Sequence, residues 1–124
     1  MKQMIFALLA LMSTPAFAEK FTCNFTEPFI TIKLDTVSYD LNWESPDLGS
    51  VRGILYEYSG SDKAIFVRFE VGNQTHRLNL DLETPGSDGM SEFVYPVRAK
   101  LNEQLWGGCY SAERPVTCPS GNCG

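Results

Sequence analysis

Apolar and polar residues alternate with a period of two along most of this chain, as expected for strands with one face on a core and the other in water. The longest alternating runs are 29–34, 37–43, 64–71, 75–83 and 93–101. Shorter segments at 21–25, 52–58 and 104–110 complete about eight strands, and none of the sequence after residue 18 shows a sustained helical period. The pattern predicts an all-β fold, a small antiparallel barrel or a barrel-like sandwich.

The alternation also predicts which side chains point inward. They are Ile30, Ile32, Leu34, Val37, Tyr39, Leu41, Trp43, Ile65, Val67, Phe69, Val71, Leu78, Leu80, Leu82, Phe93, Tyr95, Val97, Ala99 and Leu101. Short turns at Gly60 and Gly72 favour a meander of three consecutive strands over 52–83. Pro96 lies within a predicted strand, where its missing N–H indicates an edge position or a bulge.

The first 18 residues have the layout of a secretory signal peptide. Lys2 gives a positive start, Met4–Met12 is an apolar run too short to span a bilayer, and Ala16-Phe-Ala18 fits a small-x-small cleavage site. No cysteine near that site could carry a lipid anchor. We expect a periplasmic or secreted protein with no membrane span in its mature form, divided into a signal peptide (1–18), a barrel domain (19–110) and a C-terminal tail (111–124).

Charge narrows the choice of partners. All 15 acidic residues follow the signal segment, while its removal takes Lys2 and leaves nine basic residues, for a net charge of −6. This balance argues against nucleic-acid binding, which needs a basic surface, and against attachment to anionic lipid. It is compatible with a cationic partner.

Four cysteines in a small exported chain indicate disulfides. Three pairings are possible, and the sequence does not select one. We favour Cys23–Cys109, which would join the first and last strands, together with Cys118–Cys123, which would pin the tail. A zinc site is the alternative, but paired Cys-x-x-Cys spacings are missing and export favours oxidation. We therefore expect neither a metal nor a cofactor.

Catalytic residues are hard to find in this sequence. His76 is the sole histidine, so a Ser-His-Asp triad or a Cys-His pair would have to include it. It lies at the start of a predicted strand, and the chain has no Gly-x-Ser-x-Gly turn that would present a nucleophilic serine. The carboxylates show no spacing that singles out an acid–base pair. The sequence predicts a protein that is not an enzyme.

One segment contains more distinctive residues than a turn between strands requires. The run Gly86-Ser-Asp-Gly-Met-Ser-Glu-Phe-Val-Tyr-Pro96 contains the glycines and aspartate of a loop between strands. A loop does not require the other side chains at these intervals. We take the segment as a candidate binding element whose residues are Asp88, Met90, Ser91 and Tyr95.

Three motifs carry a resemblance to a known family. Thr26-Glu-Pro-Phe29, Ser87-Asp-Gly-Met-Ser91 followed by Tyr95-Pro96, and a late Gly108-Cys109 are similar to those of an uncharacterised family of bacterial envelope proteins, described as predicted membrane proteins or lipoproteins. The resemblance implies an envelope location but brings no activity. Where the family has Trp this chain has Ile30, and where it often has Cys this chain has Gly86, so the resemblance implies that Cys23 replaces that Cys as the partner of Cys109.

The chain is also loosely similar, at the level of the fold, to small periplasmic lysozyme inhibitors. Those are exported all-β domains that present a Ser/Gly-rich loop to the enzyme cleft, and an acidic chain suits a cationic lysozyme. We therefore expect an exported binding module that uses the 85–91 loop. We expect its partner to be an envelope protein, such as a cationic, lysozyme-like protein, or a small ligand at the barrel mouth. A purely structural envelope role is the alternative.

Overall fold

The computed structural model describes residues 19–118, which contain eight antiparallel strands. These are β1 Lys20–Phe25, β2 Ile30–Asp35, β3 Leu41–Ser45, β4 Gly49–Gly60, β5 Ala64–Val71, β6 Gln74–Asp81, β7 Val97–Leu101 and β8 Leu105–Tyr110. Each strand pairs with the next along the chain, and β8 pairs with β1 to close a barrel. The all-β prediction is confirmed, with the closed barrel rather than the sandwich. The predicted signal peptide and Cys123 lie outside the described residues.

The barrel interior is filled by the side chains that alternation assigns to it. The buried apolar residues include Phe21, Phe25, Ile30, Ile32, Leu34, Leu41, Trp43, Ile65, Val67, Phe69, Val71, Leu78, Leu80, Val97, Ala99 and Leu101. An eight-stranded barrel has an interior just wide enough to be packed by side chains. Closure also pairs every strand on both sides, so no open sheet edge is left along the ring.

The favoured disulfide between the first and last strands is confirmed. Cys23 and Cys109 are directly opposite in the β1–β8 ladder, with Cα atoms 4.0 Å apart and sulfurs bonded. Both are fully buried inside the barrel. Cys118 is also in a disulfide, while its predicted partner Cys123 falls outside the described part of the chain.

Two residues predicted to point inward at the start of the third run do not. Val37 is 64% exposed and Tyr39 is 50% exposed, because β3 begins only at Leu41 and residues 36–40 form the β2–β3 turn. The Asp35 carboxylate accepts hydrogen bonds from the backbone N–H groups of Val37 and Ser38. This local bonding turns the chain before the alternating pattern can extend as a strand.

The strand predicted over 93–101 is also shorter in the structure than the alternating run in the sequence. It begins at Val97, directly after Pro96, and Phe93 is 38% exposed instead of buried. Residues 83–96, here named the strap, leave β6 and fold back over the outside of the barrel. Gly86 and Tyr95 form a backbone bridge within the strap, and Val94 forms another with Thr117. Phe93 therefore lies on a surface layer and not in the barrel wall.

Candidate functional site

The tip of the strap is organised around the Asp88 carboxylate. Its Oδ1 accepts the backbone N–H groups of Met90 (2.9 Å) and Ser91 (2.8 Å). Its Oδ2 accepts the hydroxyls of Ser91 (2.7 Å) and Tyr95 (3.0 Å). Burial raises the pKa of Asp88, but the hydrogen bonds from Ser91, Met90 and Tyr95 outweigh it and bring the pKa to about 2. The tip is thus held by an ionised carboxylate with four donors.

The same group connects the strap to the barrel wall. The Thr26 hydroxyl donates to the Asp88 carbonyl oxygen, and the Asn24 amide donates to the Tyr95 hydroxyl over 3.3 Å. Thr31 on β2 in turn donates to the Asn24 side-chain oxygen over 3.0 Å. A continuous chain of hydrogen bonds therefore runs from β2 through β1 to the strap, and it fixes where the strap tip lies.

Tyr95 is the apolar anchor of the strap. It is buried although it is outside the barrel, because Gly108 on β8 points outward and leaves room for its ring. A Cβ built on Gly108 would lie 2.5 Å from Tyr95 Cγ, so no larger residue fits beneath the ring. Burial raises the pKa of Tyr95, which keeps its hydroxyl protonated as the donor to Asp88.

We predict that Gly108→Ala lowers the free energy of unfolding by about 1–3 kcal/mol, because the added methyl overpacks against the Tyr95 ring. Urea denaturation measures this change, and limited proteolysis should show earlier cleavage of the strap. In a Tyr95→Gly background the same substitution should lower the free energy of unfolding little further, because the Tyr95 Cβ, Cγ and Cδ1 atoms that lie close to the added methyl are all absent. An equal cost in both backgrounds would contradict this contact.

Three of the four candidate binding residues are therefore used within the fold, and one is presented to solvent. Asp88, Ser91 and Tyr95 bond one another, whereas the Met90 side chain is 69% exposed. Met90 lines a groove with Phe29, which is 52% exposed, and Pro46. We name these three residues the rim patch. The polar floor of the groove includes Asn24, Thr31, Glu44 and Ser50.

The sequence pattern missed Phe29 and Pro46 as candidate site residues. Phe29 was assigned to a strand, but β2 begins at Ile30 and Phe29 belongs to the β1–β2 turn. Pro46 lies in the β3–β4 turn. The available signal was a large apolar residue directly next to a turn proline, since Pro28 precedes Phe29. Such a residue has no strand partner to bury it.

Each residue of the rim patch has an exposed acidic neighbour along the chain. Glu27, Asp47 and Glu92 are exposed and lie within two residues of its members. Glu44 on the groove floor is partly neutralised by Lys33, at 3.5 Å. Within residues 19–118, the rim patch thus combines exposed apolar groups with acidic neighbours, the complement of a cationic surface with apolar groups of its own.

His76 lies at the same end of the barrel and is held by packing. Its ring lies 4.6 Å from the Trp43 ring and 5.5 Å from the Phe69 ring, between centroids. The Asn102 side-chain N–H donates to His76 Nδ1 over 3.0 Å, and the Asn102 oxygen accepts the backbone N–H of Arg77. Burial lowers the pKa of His76, so the ring is neutral at pH 7. The groups around it are aromatic rings and an amide.

The opposite end of the barrel opens into a cavity of about 480 Å³. Tyr39 and Tyr58 line it with ring centroids 4.9 Å apart. The Glu19 carboxylate at this end accepts hydrogen bonds from the Ser111 hydroxyl (2.7 Å) and from Arg114 (2.9 Å). The cavity is where a small ligand at the barrel mouth would lie, and that ligand remains a prediction.

Comparisons of the chain with known protein families, curated proteins and solved structures find no match. The resemblance to the bacterial envelope family therefore stays a prediction. In the part of the chain that the structure describes, no three His, Cys, Asp or Glu side chains lie together as metal ligands. The same residues contain no helix long and apolar enough to cross a membrane.

Proposed function

We propose that this protein is an exported, non-catalytic binding module of the cell envelope, and that it contacts a cationic protein partner through the rim patch. The observation that carries the proposal is the 69% exposure of Met90 at the tip of a strap in which Asp88, Ser91 and Tyr95 hydrogen-bond one another. A flexible thioether held in solvent on a fixed loop suits a contact surface. Most of this residue's surface is left open to solvent by the fold.

Preorganisation supports a binding role for the strap. A loop that is already ordered loses little conformational entropy when a partner binds. The bonds from Asp88 and Thr26 hold the tip against β1, and Met90 and Phe29 line one groove. Two exposed apolar side chains from separate turns thus form one surface without any rearrangement.

Export is supported by the position of Glu19. Its backbone N donates to the Thr36 hydroxyl over 3.0 Å, and its carboxylate bonds Ser111 and Arg114. Glu19, the residue that cleavage after Ala18 would leave first, is thus bonded into the fold through both its backbone and its side chain. The buried disulfide is compatible with an oxidising compartment.

A cationic lysozyme is the first partner to test, because the mature chain carries a net charge of −6 and each residue of the rim patch has an exposed acidic neighbour in the chain. We expect calorimetric titration to show saturable binding of cationic lysozyme to the mature protein. Met90→Ser and Phe29→Ser should each weaken it by about 1–2 kcal/mol, as expected when an apolar contact is removed. Ile54→Ser, which alters an exposed residue of β4 on another part of the wall, is the matched control and should bind normally.

Two further measurements make this test decisive. Succinylated lysozyme, whose charge is reversed, should bind far more weakly. The free energies of unfolding of Met90→Ser and Phe29→Ser, measured by urea denaturation, should stay within about 0.5 kcal/mol of the parent value. Equal binding by Ile54→Ser, Met90→Ser and Phe29→Ser would refute the rim patch, and no binding of either lysozyme would refute this partner.

A further inference from the structure

A second surface, on the outside of the barrel across β5–β8, has chemistry that the rim patch lacks. In the strand register, Phe66 pairs with Asn79, Asn79 with Lys100, and Lys100 with Trp106. All four side chains line one groove of about 430 Å³. We propose that this groove, here named the wall groove, binds an acidic oligosaccharide whose sugar rings carry carboxylates.

Trp106 is the main argument for a sugar ligand. Its indole is 51% exposed on a strand of the barrel wall, with the Lys100 ammonium 4.6 Å and the Arg98 guanidinium 4.8 Å from its ring centroid. A flat aromatic face of negative potential attracts the C–H face of a pyranose ring. Both cations lie over the indole ring, so a uronic acid that approaches Trp106 would draw them toward its carboxylate and take their place against the exposed part of the ring.

The charges of the wall groove favour a carboxylate. Lys100 has no carboxylate within 4.0 Å among the described residues, and Arg98 has only the long contact of 3.6 Å to Asp81. A bound carboxylate would therefore compete with the Trp106 ring for Lys100, and with both that ring and Asp81 for Arg98. An acidic oligosaccharide spreads its negative charges over its sugar rings, one on each uronic acid, whereas a phosphate would concentrate two charges beside the Asp81 carboxylate that also lines the groove.

The shape of the wall groove favours an extended chain over a single compact group. Phe66 and Trp106 lie three strand spacings apart, roughly 14 Å along the sheet. Between them the Asn79 side chain offers both a donor and an acceptor, and Lys100 offers donors. Two aromatic walls with a polar floor match a short oligosaccharide, which has apolar ring faces and hydroxyl edges.

The wall groove is separate from the rim patch. The rim patch lies beside the turns that follow β1 and β3, whereas the wall groove lies across β5–β8. The two surfaces do not share a lining residue. Loss of one binding activity therefore leaves the other in place.

Calorimetric titration of the mature protein with tetragalacturonate at low salt tests this proposal. We expect saturable binding that weakens as salt is added. The fully methyl-esterified tetrasaccharide has the same rings without charge and should bind at least about tenfold more weakly. Trp106→Ala and Lys100→Gln should each lose about tenfold in affinity for the acid form.

Matched controls come from the same barrel wall. Tyr56 on β4 also has a cation over its ring, with Arg68 at 5.5 Å, so Tyr56→Ala should bind like the parent protein. Met90→Ser should also bind normally. Absence of saturable binding, equal affinity for the methyl ester, unchanged affinity in Trp106→Ala and Lys100→Gln, or equal binding of an oligodeoxythymidylate would each overturn the proposal.

Discussion

Replacing Cys23 and Cys109 together by alanine is expected to lower the free energy of unfolding by about 4–5 kcal/mol. The two cysteines are 86 residues apart, and a cross-link over such a span removes that much chain entropy from the unfolded state. Domains of this size are stable by only about 5–15 kcal/mol. We therefore expect a sharp fall in the urea midpoint and, at 37 °C, loss of near-ultraviolet circular dichroism.

The matched control is the double alanine variant of Cys118 and Cys123. If these two form the second disulfide, as the sequence predicts, it closes a loop of only six residues, so its removal should cost about 2 kcal/mol at most. A comparable loss of stability in the two variants would contradict the view that the Cys23–Cys109 bond is what holds the ends of the barrel sheet together.

Asp88→Asn is expected to lower the free energy of unfolding by about 2 kcal/mol at pH 7. The asparagine oxygen can still accept the backbone N–H groups of Met90 and Ser91, but its amide nitrogen cannot accept the hydroxyls of Ser91 and Tyr95. Both hydroxyls then lose a charged acceptor in a partly buried position. Equilibrium urea denaturation measures the loss.

The cost of Asp88→Asn should depend on pH in a defined direction. The Asp88 pKa is lowered to about 2 in the folded protein, from about 3.9 in an unfolded chain. Its contribution is therefore fully present above pH 4 and is lost as the pH falls through 2. We expect the stability difference between parent and variant to shrink from pH 4 to pH 2, since the other carboxylates are common to both proteins.

Asp47→Asn is the control for this titration, because Asp47 is exposed and lies in a different turn. This exposed substitution should change the free energy of unfolding at pH 7 by no more than about 0.5 kcal/mol. A cost of Asp88→Asn that is the same at pH 7 and pH 2 would contradict the ionised carboxylate at the centre of the strap. Unchanged stability at pH 7 would show that the strap does not depend on it.

The barrel was predictable from local pattern because a strand needs only a period of two and a turn to end it. The run 64–71 shows this best, since Ile65, Val67, Phe69 and Val71 are all buried as predicted. The pattern failed where local hydrogen bonds compete with the strand. Asp35 turns the chain before Val37, and the sequence gives no measure of that competition.

The candidate site was predictable only in part. The intervals in the segment 86–96 marked it as special, and its residues do come together. Their roles could not be read from spacing. Whether Asp88 faces a partner or its own loop depends on Thr26 and Tyr95, which are 62 and seven residues away.

By itself, the sequence determined the all-β fold, the approximate strands and most of the inward side chains, because these follow from alternation and turns. It left three cysteine pairings open, and the favoured Cys23–Cys109 is the one that the structure shows. Tertiary structure decided that the strap folds over the outer wall, that Met90 alone among its candidate residues is presented to solvent, and that Phe66, Asn79, Lys100 and Trp106 form one row. The physical reason is that strand register and loop docking depend on contacts between distant residues, such as the fit of the Tyr95 ring on Gly108.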